Sequence, residues 1–245
     1  MVTPLARGRL LRLAASAPWA TVEDIAGPQG GLLVVSPHPD DESLAMGSLL
    51  ASIRAAGRPV VLALLTDGGG SHSSPRLGRS GLVRLRQREL REALRRLGGA
   101  EEIIVLGHPD QMAPQEPTSS EIAQLSRAVT AHGITRVLTC WRGDPHVDHH
   151  AGSLWTERLC HALALPPAAE APVWGRFTDT PPAPGQHLVR FERKELLAVK
   201  RQAISAHRSQ MTALIPDDPE GFVMSSDTRA HFSEHPELYL LRAAP

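Results

Sequence analysis

Four short runs of consecutive apolar residues recur along the chain, and each ends in a cluster of polar or turn-forming residues. The runs are at 31–35, 60–65, 103–106 and 137–140. Continuous apolar runs of this length are typical of strands that are buried on both faces of a sheet. Between them, apolar positions recur at helical spacing and predict helices at 41–56, 82–97 and 119–131, the last capped by Ser119 or Ser120. This alternation predicts an α/β fold with a parallel sheet and right-handed crossovers.

The last third of the chain has a less regular pattern. Its predicted elements are a helix at 151–163, proline- and alanine-rich loops at 165–172 and 181–184, a small antiparallel element through 173–177 and 188–191, and a helix at 193–210. No internal repeat or linker divides the chain. We therefore expect a single domain over residues 1–245.

The charge balance and the cysteine spacing argue against a nucleic-acid binder, a zinc ribbon and a redox motif. Lys+Arg and Asp+Glu are equal at 26 each, so the formal net charge is zero. This balance argues against a general nucleic-acid binder and favours a small neutral substrate. The two cysteines, Cys140 and Cys160, lack the spacing of a zinc ribbon or a redox motif and are interpreted as buried thiols.

The N-terminal segment has some features of a signal peptide, but three arginines interrupt it: Arg7, Arg9 and Arg12. A short amphipathic helix is the preferred interpretation. No segment approaches the roughly 20 apolar residues that span a bilayer, so no transmembrane segment is predicted. The expected location is cytoplasmic, and the sequence leaves open whether the protein forms a homo-oligomer.

The first cluster of chemically useful residues is the sequence PHPDDE at 37–42, directly after the first predicted strand. His38 and Asp41 offer one nitrogen and one oxygen ligand at a spacing that a tight turn can bring onto one metal ion. Asp40, which flanks a ligand, could act on metal-bound water. The alternative is that the acidic residues merely complement the dipole at the start of a helix.

The second cluster is the sequence HVDHH at 146–150, which follows the fourth predicted strand. The carboxyl ends of parallel strands lie at one edge of a sheet, so this cluster can supply a third ligand. By itself it could be a solvated loop or a weak, adventitious metal site. Two clusters of suitable ligand types at strand ends of one sheet favour a metal centre.

These motifs resemble those of the PIG-L/LmbE-like N-acetylglucosaminyl deacetylases, which are zinc enzymes. The resemblance extends over roughly residues 30–210 and includes TDG at 66–68, RQRE at 86–89 and HRSQ at 207–210. It implies a Rossmann-like three-layer fold, a Zn2+ cofactor and a small amino-sugar substrate. The activity that it implies is removal of an N-acetyl group from an N-acetylglucosamine-type sugar or its conjugate.

The resemblance also implies roles for individual residues. The implied zinc ligands are His38, Asp41 and His149. Asp40 would be the general base. His146 would stabilise the oxyanion or protonate the leaving amine, and Asp148 would orient it.

Three further residues are predicted to contact the substrate: Arg86, Asp110 and Asp144. The first two correspond to sugar-contacting positions of the family. Some family members carry a tyrosine shortly before the second motif, whereas this chain has Asp144-Pro145, and its single tyrosine is Tyr239. An additional carboxylate near the mouth would favour a substrate with a positive group. His207 is interpreted as a packed or surface residue.

Two other functions remain open from the sequence. The same zinc chemistry could serve an amidase that acts on a non-sugar or thiol-conjugated amide. A non-catalytic sugar-binding module could also retain the scaffold, although Asp40 and His146 would then have no catalytic role.

Overall fold

The computed structural model describes residues 8–242, and a seven-stranded sheet lies at its centre. The strands in this range are β1 (Gly31–Ser36), β2 (Val60–Thr66), β3 (Glu102–His108), β4 (Ile134–Cys140), β5 (Ala169–Ala171), β6 (Gln186–Phe191) and β7 (Glu237–Arg242). Their order across the sheet is β3-β2-β1-β4-β5-β7-β6. Strands β1 to β5 pair in parallel, whereas β7 is antiparallel to both β5 and β6. The predicted α/β fold, mainly parallel with a C-terminal antiparallel element, is confirmed.

Helices cover both faces of this sheet. Within the described residues they are α1 (Arg9–Ala14), α2 (Val22–Ala26), α3 (Asp41–Ala55), α4 (Gly78–Arg96), α5 (Ser119–Ala131), α6 (Val147–Ala162), α7 (Leu197–Ala206), α8 (Arg208–Met211) and α9 (Ser226–Glu234). The cap of α5 is Thr118 rather than Ser119 or Ser120. The Thr118 hydroxyl accepts a hydrogen bond from the Glu121 amide while the Glu121 carboxylate accepts one from the Thr118 amide.

Side-chain alternation along β1 separates two hydrophobic layers. Leu32 and Val34 pack with apolar residues of α3, α4 and α7, whereas Leu33 and Val35 pack with those of α5 and α6. This arrangement explains the uninterrupted apolar sequence of β1, because neither of its faces meets water. The expectation that the third run is equally buried is wrong, since β3 is an edge strand and Val105 is 37% exposed.

The C-terminal third differs most from the prediction. Residues 173–177 do not form a strand but contain a 3-10 turn, Gly175–Phe177, and β5 lies within the stretch predicted as a loop. The predicted helix at 193–210 is divided at His207, whose backbone (φ −78°, ψ 56°) ends α7 and begins α8. Both α9 and β7 were not predicted.

The N-terminal prediction lies partly outside the described residues, because residues 1–7 are not described. The helix expected there is α1, and it buries Leu10. Cys140 and Cys160 are both buried, as predicted, and neither forms a disulfide. Between residues 8 and 242, none of the helices combines the length and apolar character that crossing a bilayer requires.

Candidate active site

The two predicted motifs meet at the carboxyl edge of the sheet, where β1 and β4 are neighbours. In the sheet, β2 lies on one side of β1 and β4 lies on the other. Because the chain leaves β1 towards β2, a crevice opens between the loop that follows β1 and the loop that follows β4. His38 lies in the loop after β1, and His146 precedes the first turn of α6. The topology therefore brings together residues that are more than 100 positions apart.

Asp41 lies between two histidines of this crevice. Its Oδ2 is 3.3 Å from His38 Nδ1 and 3.4 Å from His149 Nε2. Ligand atoms around a tetrahedral zinc ion with bonds of about 2.0–2.1 Å are roughly 3.3 Å apart. The spacing of these oxygen and nitrogen atoms therefore suits a shared zinc ion.

His149 gives an independent indication that a cation fits here. Its Nδ1 donates to Asp144 Oδ2 at 2.7 Å, whereas its fully buried Nε2 forms no hydrogen bond within the described residues and has the Asp41 carboxylate 3.4 Å away. A buried nitrogen without a partner is unfavourable, and a metal ion would use its lone pair. Burial alone would lower the pKa of His149, but Asp41 and Asp144 raise it to about 9. This excess of negative charge is what a bound cation would neutralise.

The possible ligand sets overlap. The nitrogen atoms of His38, His146 and His149 lie within 4.8 Å of one another, and so do the ligand atoms of Asp41, Cys140 and His149. Burial raises the pKa of the Cys140 thiol well above its usual range, so this sulfur is a poor ligand. A third such group consists of His38, Asp110, His146 and Asp148. The predicted set is not itself one of these groups: it combines His38 of the first group with Asp41 and His149 of the second.

Asp40 has an unusual backbone conformation for a residue with a side chain. Its φ is 131°, a region that favours glycine, and its amide donates to Glu42 Oε2 at 3.0 Å. The carboxylate lies beside Arg86, at 3.4 Å from Nη2. Burial raises the pKa of Asp40 to about 6, although Arg86 opposes this increase. A carboxylate with such a pKa can accept a proton near neutral pH.

His146 lines the same crevice, and its hydrogen bond fixes the position of its proton. The Asp148 amide donates to His146 Nδ1 at 3.2 Å. Burial and the neighbouring His38 lower the pKa of His146 to about 4, so the ring is neutral. Because Nδ1 accepts a hydrogen bond, the remaining proton is on Nε2, and this atom can donate to an oxyanion.

Asp148 is positioned differently from the prediction. Its carboxylate accepts a hydrogen bond from His38 Nε2 at 2.9 Å but lies 3.9 Å from His146 Nδ1. The amides of Gln111 and Ala113 also donate to it. In this structure the carboxylate hydrogen-bonds to His38, and the hydrogen bond that Asp148 makes with His146 comes from its backbone amide.

Arg86 and Asp110 line the cavity next to Asp40. Arg86 is 3% exposed and donates to the carbonyl oxygens of Gly68 and Pro39, each at 2.8 Å. Asp110 accepts a hydrogen bond from the Gly70 amide. Burial alone would raise the pKa of Asp110, but His38 and Arg86 lower it to about 2. Asp110 is therefore ionised and able to accept a hydrogen bond from a substrate hydroxyl.

Asp144 requires a correction, because it does not lie at the mouth of the cavity. The residue is fully buried, and its carboxylate accepts hydrogen bonds from His149 Nδ1 and from the amides of Val173 and Gly175. A carboxylate surrounded in this way has no surface left for substrate. Its position is that of a group that orients a metal ligand.

The cavity has a volume of about 430 Å3 and includes residues that sequence reasoning missed. These lining residues are Trp174, Gln210, Glu220 and Phe222. Gln210 belongs to the HRSQ motif, which pointed to the region but not to this contact. Trp174 and Phe222 have no local motif, and they meet only because distant loops pack together.

His207 was interpreted as packed, and the structure shows what it packs against. Its Nε2 lies 2.9 Å from Glu42 Oε1, and both residues are completely buried. The other oxygen of the Glu42 carboxylate accepts the Asp40 amide. His207 therefore supports the turn that holds Asp40.

Comparison with protein-family models matches residues 33–160, more than half of the chain, to PIG-L, the GlcNAc-PI de-N-acetylases. The chain belongs to this family. Both sequence motifs lie within the matched segment. The resemblance inferred from the two motifs is thus confirmed.

Individual PIG-L relatives and related structures agree with this assignment. A probable N-acetyl-alpha-D-glucosaminyl L-malate deacetylase 2 of Bacillus cereus is 26% identical over 193 residues, covering 76% of this chain and 86% of its own. The N,N'-diacetylchitobiose deacetylase of Pyrococcus horikoshii has a TM-score of 0.64 and 22% identity, covering 91% of this chain and 87% of its own. A deacetylase triple mutant from the teicoplanin biosynthetic pathway has a TM-score of 0.65 and 18% identity, covering 87% and 98%. These two structural likenesses show a shared fold.

Proposed function

We propose that this protein is a zinc-dependent hydrolase that removes the N-acetyl group from an N-acetylglucosamine-type amino sugar or its conjugate, releasing acetate and a free amine. The observation that carries the proposal is the unpartnered, buried Nε2 of His149. This atom lies beside Asp41, and Asp41 lines the cavity that also contains the proposed base, Asp40. Membership of the PIG-L family supports the same reaction.

The residues proposed to hold zinc are His38, Asp41 and His149. Three protein ligands leave a coordination position free, as is usual in catalytic zinc sites. A zinc ion held by these residues would supply Lewis acidity for the attack of water on an amide carbonyl. Asp144 accepts a hydrogen bond from His149 Nδ1, and Asp148 accepts one from His38 Nε2. Each histidine then keeps the lone pair on its other ring nitrogen, His149 Nε2 and His38 Nδ1, for the proposed zinc ion.

The proton transfers are assigned to residues on either side of this site. Asp40 accepts a proton from the attacking water, and its raised pKa of about 6 suits this role. His146 donates a hydrogen bond from Nε2 to the oxygen of the former carbonyl as negative charge develops there. The proton held by Asp40 then passes to the leaving nitrogen as the C–N bond breaks, so that water and amide give acetate and amine.

Asp40→Asn tests this assignment, because the amide has nearly the same shape but cannot accept the proton. We expect zinc to remain bound at about one ion per chain while acetate release falls by at least roughly 100-fold. Metal content is measured by atomic spectrometry, and acetate release is measured on a panel of N-acetylglucosamine conjugates. Asp227→Asn, an identical change at an exposed position on α9, is the control and should retain activity.

Each other outcome has a defined meaning. Full activity in Asp40→Asn would refute its role as the base. Tight zinc binding by the wild type without acetate release from any sugar would favour an amidase acting on a non-sugar or thiol-conjugated amide. Protein purified without chelators that neither contains nor binds zinc would overturn the proposal.

A further inference from the structure

Two aromatic side chains that contact each other, Trp174 and Phe222, form an aromatic wall of the cavity. Trp174 and Phe222 are in edge-to-face contact, with ring centroids 5.9 Å apart and planes at 87°. Both line the cavity that contains Asp40 and His146, and Phe222 is 38% exposed. Trp174 is half-buried. An aromatic pair that lines a cavity beside polar groups is a common arrangement for binding an apolar part of a ligand.

Trp174 is held by the same carboxylate that orients a proposed zinc ligand. The amides on either side of it, those of Val173 and Gly175, donate to Asp144 at 3.0 Å and 2.6 Å. Asp144 also accepts the hydrogen bond from His149. A Cβ atom at Gly175 would lie only 2.5 Å from Asp144 Oδ1, so only glycine fits there. The indole is therefore fixed relative to the catalytic centre.

Phe222 is fixed from the other side, by contacts between its segment and the loop after β2. Its amide donates to the Ser71 carbonyl oxygen at 2.9 Å. Asp217 accepts a hydrogen bond from the Ser74 hydroxyl at 2.7 Å, and Asp218 accepts one from the Ser73 amide. These contacts hold the segment that carries Phe222 in place, and a wall held in this way lowers the entropic cost of binding.

The charges around the cavity are unsuitable for an anionic group. Among the described residues, Arg86 is the single arginine or lysine that lines the cavity. It already donates to two carbonyl oxygens and lies beside Asp40 and Asp110. The remaining charged group beside the aromatic wall is Glu220, which is exposed. A carboxylate or phosphate on the ligand would find repulsion here rather than an ion pair.

We propose that Trp174 and Phe222 form a subsite for an uncharged apolar or aromatic group attached to the acetylated amino sugar. This inference rests on the proposed deacetylase function and specifies its substrate class. In this arrangement the sugar and its acetamide occupy the polar end near Arg86 and Asp110, and the attached group packs against the two rings. An anionic group such as the malate in the name of the Bacillus relative is disfavoured.

The test compares acetate release from three kinds of substrate, which are free N-acetylglucosamine, its phenyl glycosides (both anomers) and its L-malate glycoside. We expect kcat/KM of the wild type to be highest for a phenyl glycoside. The substrate ratio is kcat/KM for the phenyl glycoside divided by kcat/KM for the free sugar. Trp174→Ala and Phe222→Ala should each lower this ratio by about tenfold, because the phenyl group then buries less apolar surface. The decrease should come mainly from a higher KM for the phenyl glycoside. Trp174→Phe, which retains a ring, should keep most of the ratio.

Two control variants match the chemistry of these changes. Val223→Ala removes an exposed apolar side chain next to Phe222, and Trp19→Ala removes an indole that is 56% exposed and does not line this cavity. Neither should change the substrate ratio. Because Phe222 is at the surface, Phe222→Ala should fold even if Trp174→Ala does not.

The outcomes separate this inference from the function on which it rests. Acetate release with an unchanged substrate ratio in both alanine variants would overturn the aromatic subsite alone. A wild-type preference for the malate glycoside over the phenyl glycosides would do the same. Failure of the wild type to release acetate from all three substrates would overturn the proposed function, and the subsite assignment with it.

Discussion

The Asp144 carboxylate serves two parts of the active site at once. One oxygen accepts hydrogen bonds from the imidazole of His149 and the amide of Val173, and the other accepts one from the amide of Gly175. Hydrogen bonds of this kind fix the tautomer and orientation of a metal-binding histidine. Asp144 is therefore a positioning residue, and its effect on metal binding should exceed its effect on substrate binding.

Asp144→Asn should lower zinc affinity by roughly 10- to 100-fold, because an amide orients the imidazole less well than a carboxylate. The affinity is measured by competition with a chromophoric chelator. The exposed change Asp227→Asn should leave it unaltered. The opposite result would be wild-type zinc affinity in Asp144→Asn together with a raised KM for cationic substrates only. It would mean that Asp144 contacts a positive group of the substrate, as the sequence predicted.

Local motifs predicted some of these residues and not others. His38, Asp40 and Asp41 lie within four consecutive positions, so a tight turn is enough to bring them together, and the sequence alone pointed to them. The partners of Asp144 are amides about 30 residues further along the chain. Nothing in the local sequence indicates which amides will surround a carboxylate, and the residue was therefore assigned to the substrate.

At the level of elements, one buried carboxylate joins two helices to the last strand. Glu237 of β7 forms an ion pair with Lys200 of α7, with 2.8 Å between Oε1 and Nζ, and both residues are 1% exposed. The same carboxylate accepts hydrogen bonds from the amides of Ser48 and Leu49 in α3 and from the Tyr239 hydroxyl. This network holds α3, which begins at the turn proposed to bind zinc, against the antiparallel end of the sheet.

Lys200→Met should lower the free energy of unfolding by about 3 kcal/mol, because it leaves the Glu237 carboxylate buried without its cationic partner. The change is measured by urea denaturation at neutral pH. Lys194→Met, the same substitution at an exposed position, should cost less than about 0.5 kcal/mol. Equal costs for the two variants would mean that the hydrogen bonds to Glu237 suffice without the ion pair.

The central strands were predictable and the last ones were not, for a physical reason. Strands β1 and β2 are buried along their whole length, and this burial requires mainly apolar residues. In β4 the four residues 137–140 are buried in the same way. By contrast, β7 begins with the buried Glu237 and pairs with strands about 50 and 70 residues earlier in the chain. The 3-10 turn at Gly175–Phe177 was mistaken for a strand, because its conformation depends on the hydrogen bonds to Asp144.

For the whole molecule, the proposed metal joins loops that follow two adjacent strands. His38 and Asp41 follow β1, whereas His149 lies in the first turn of α6 after β4. An unfolded chain does not hold these ligands together, so zinc should bind preferentially to the folded protein. Metal binding is therefore linked to global stability.

Zinc at about 100 times its dissociation constant should stabilise the fold by about 2.7 kcal/mol, which for a chain of this size corresponds to a rise in Tm of roughly 5–10 °C. Differential scanning calorimetry with and without a chelator measures this rise. It should be absent from His149→Ala and retained in His161→Ala, which removes an exposed imidazole from the same helix. A full zinc-dependent rise in His149→Ala would place the metal elsewhere.

Trp174 and Phe222, the two aromatic residues that line the cavity, should differ in how well they tolerate substitution. Trp174 is flanked by amides that share a carboxylate with His149, so a shift of its backbone would disturb zinc binding. Phe222 is attached to a surface loop by contacts that involve none of the proposed zinc ligands. Libraries that vary position 222 should therefore yield altered substrate ranges in folded, metal-loaded enzymes, whereas variation at 173–175 should mostly yield inactive ones.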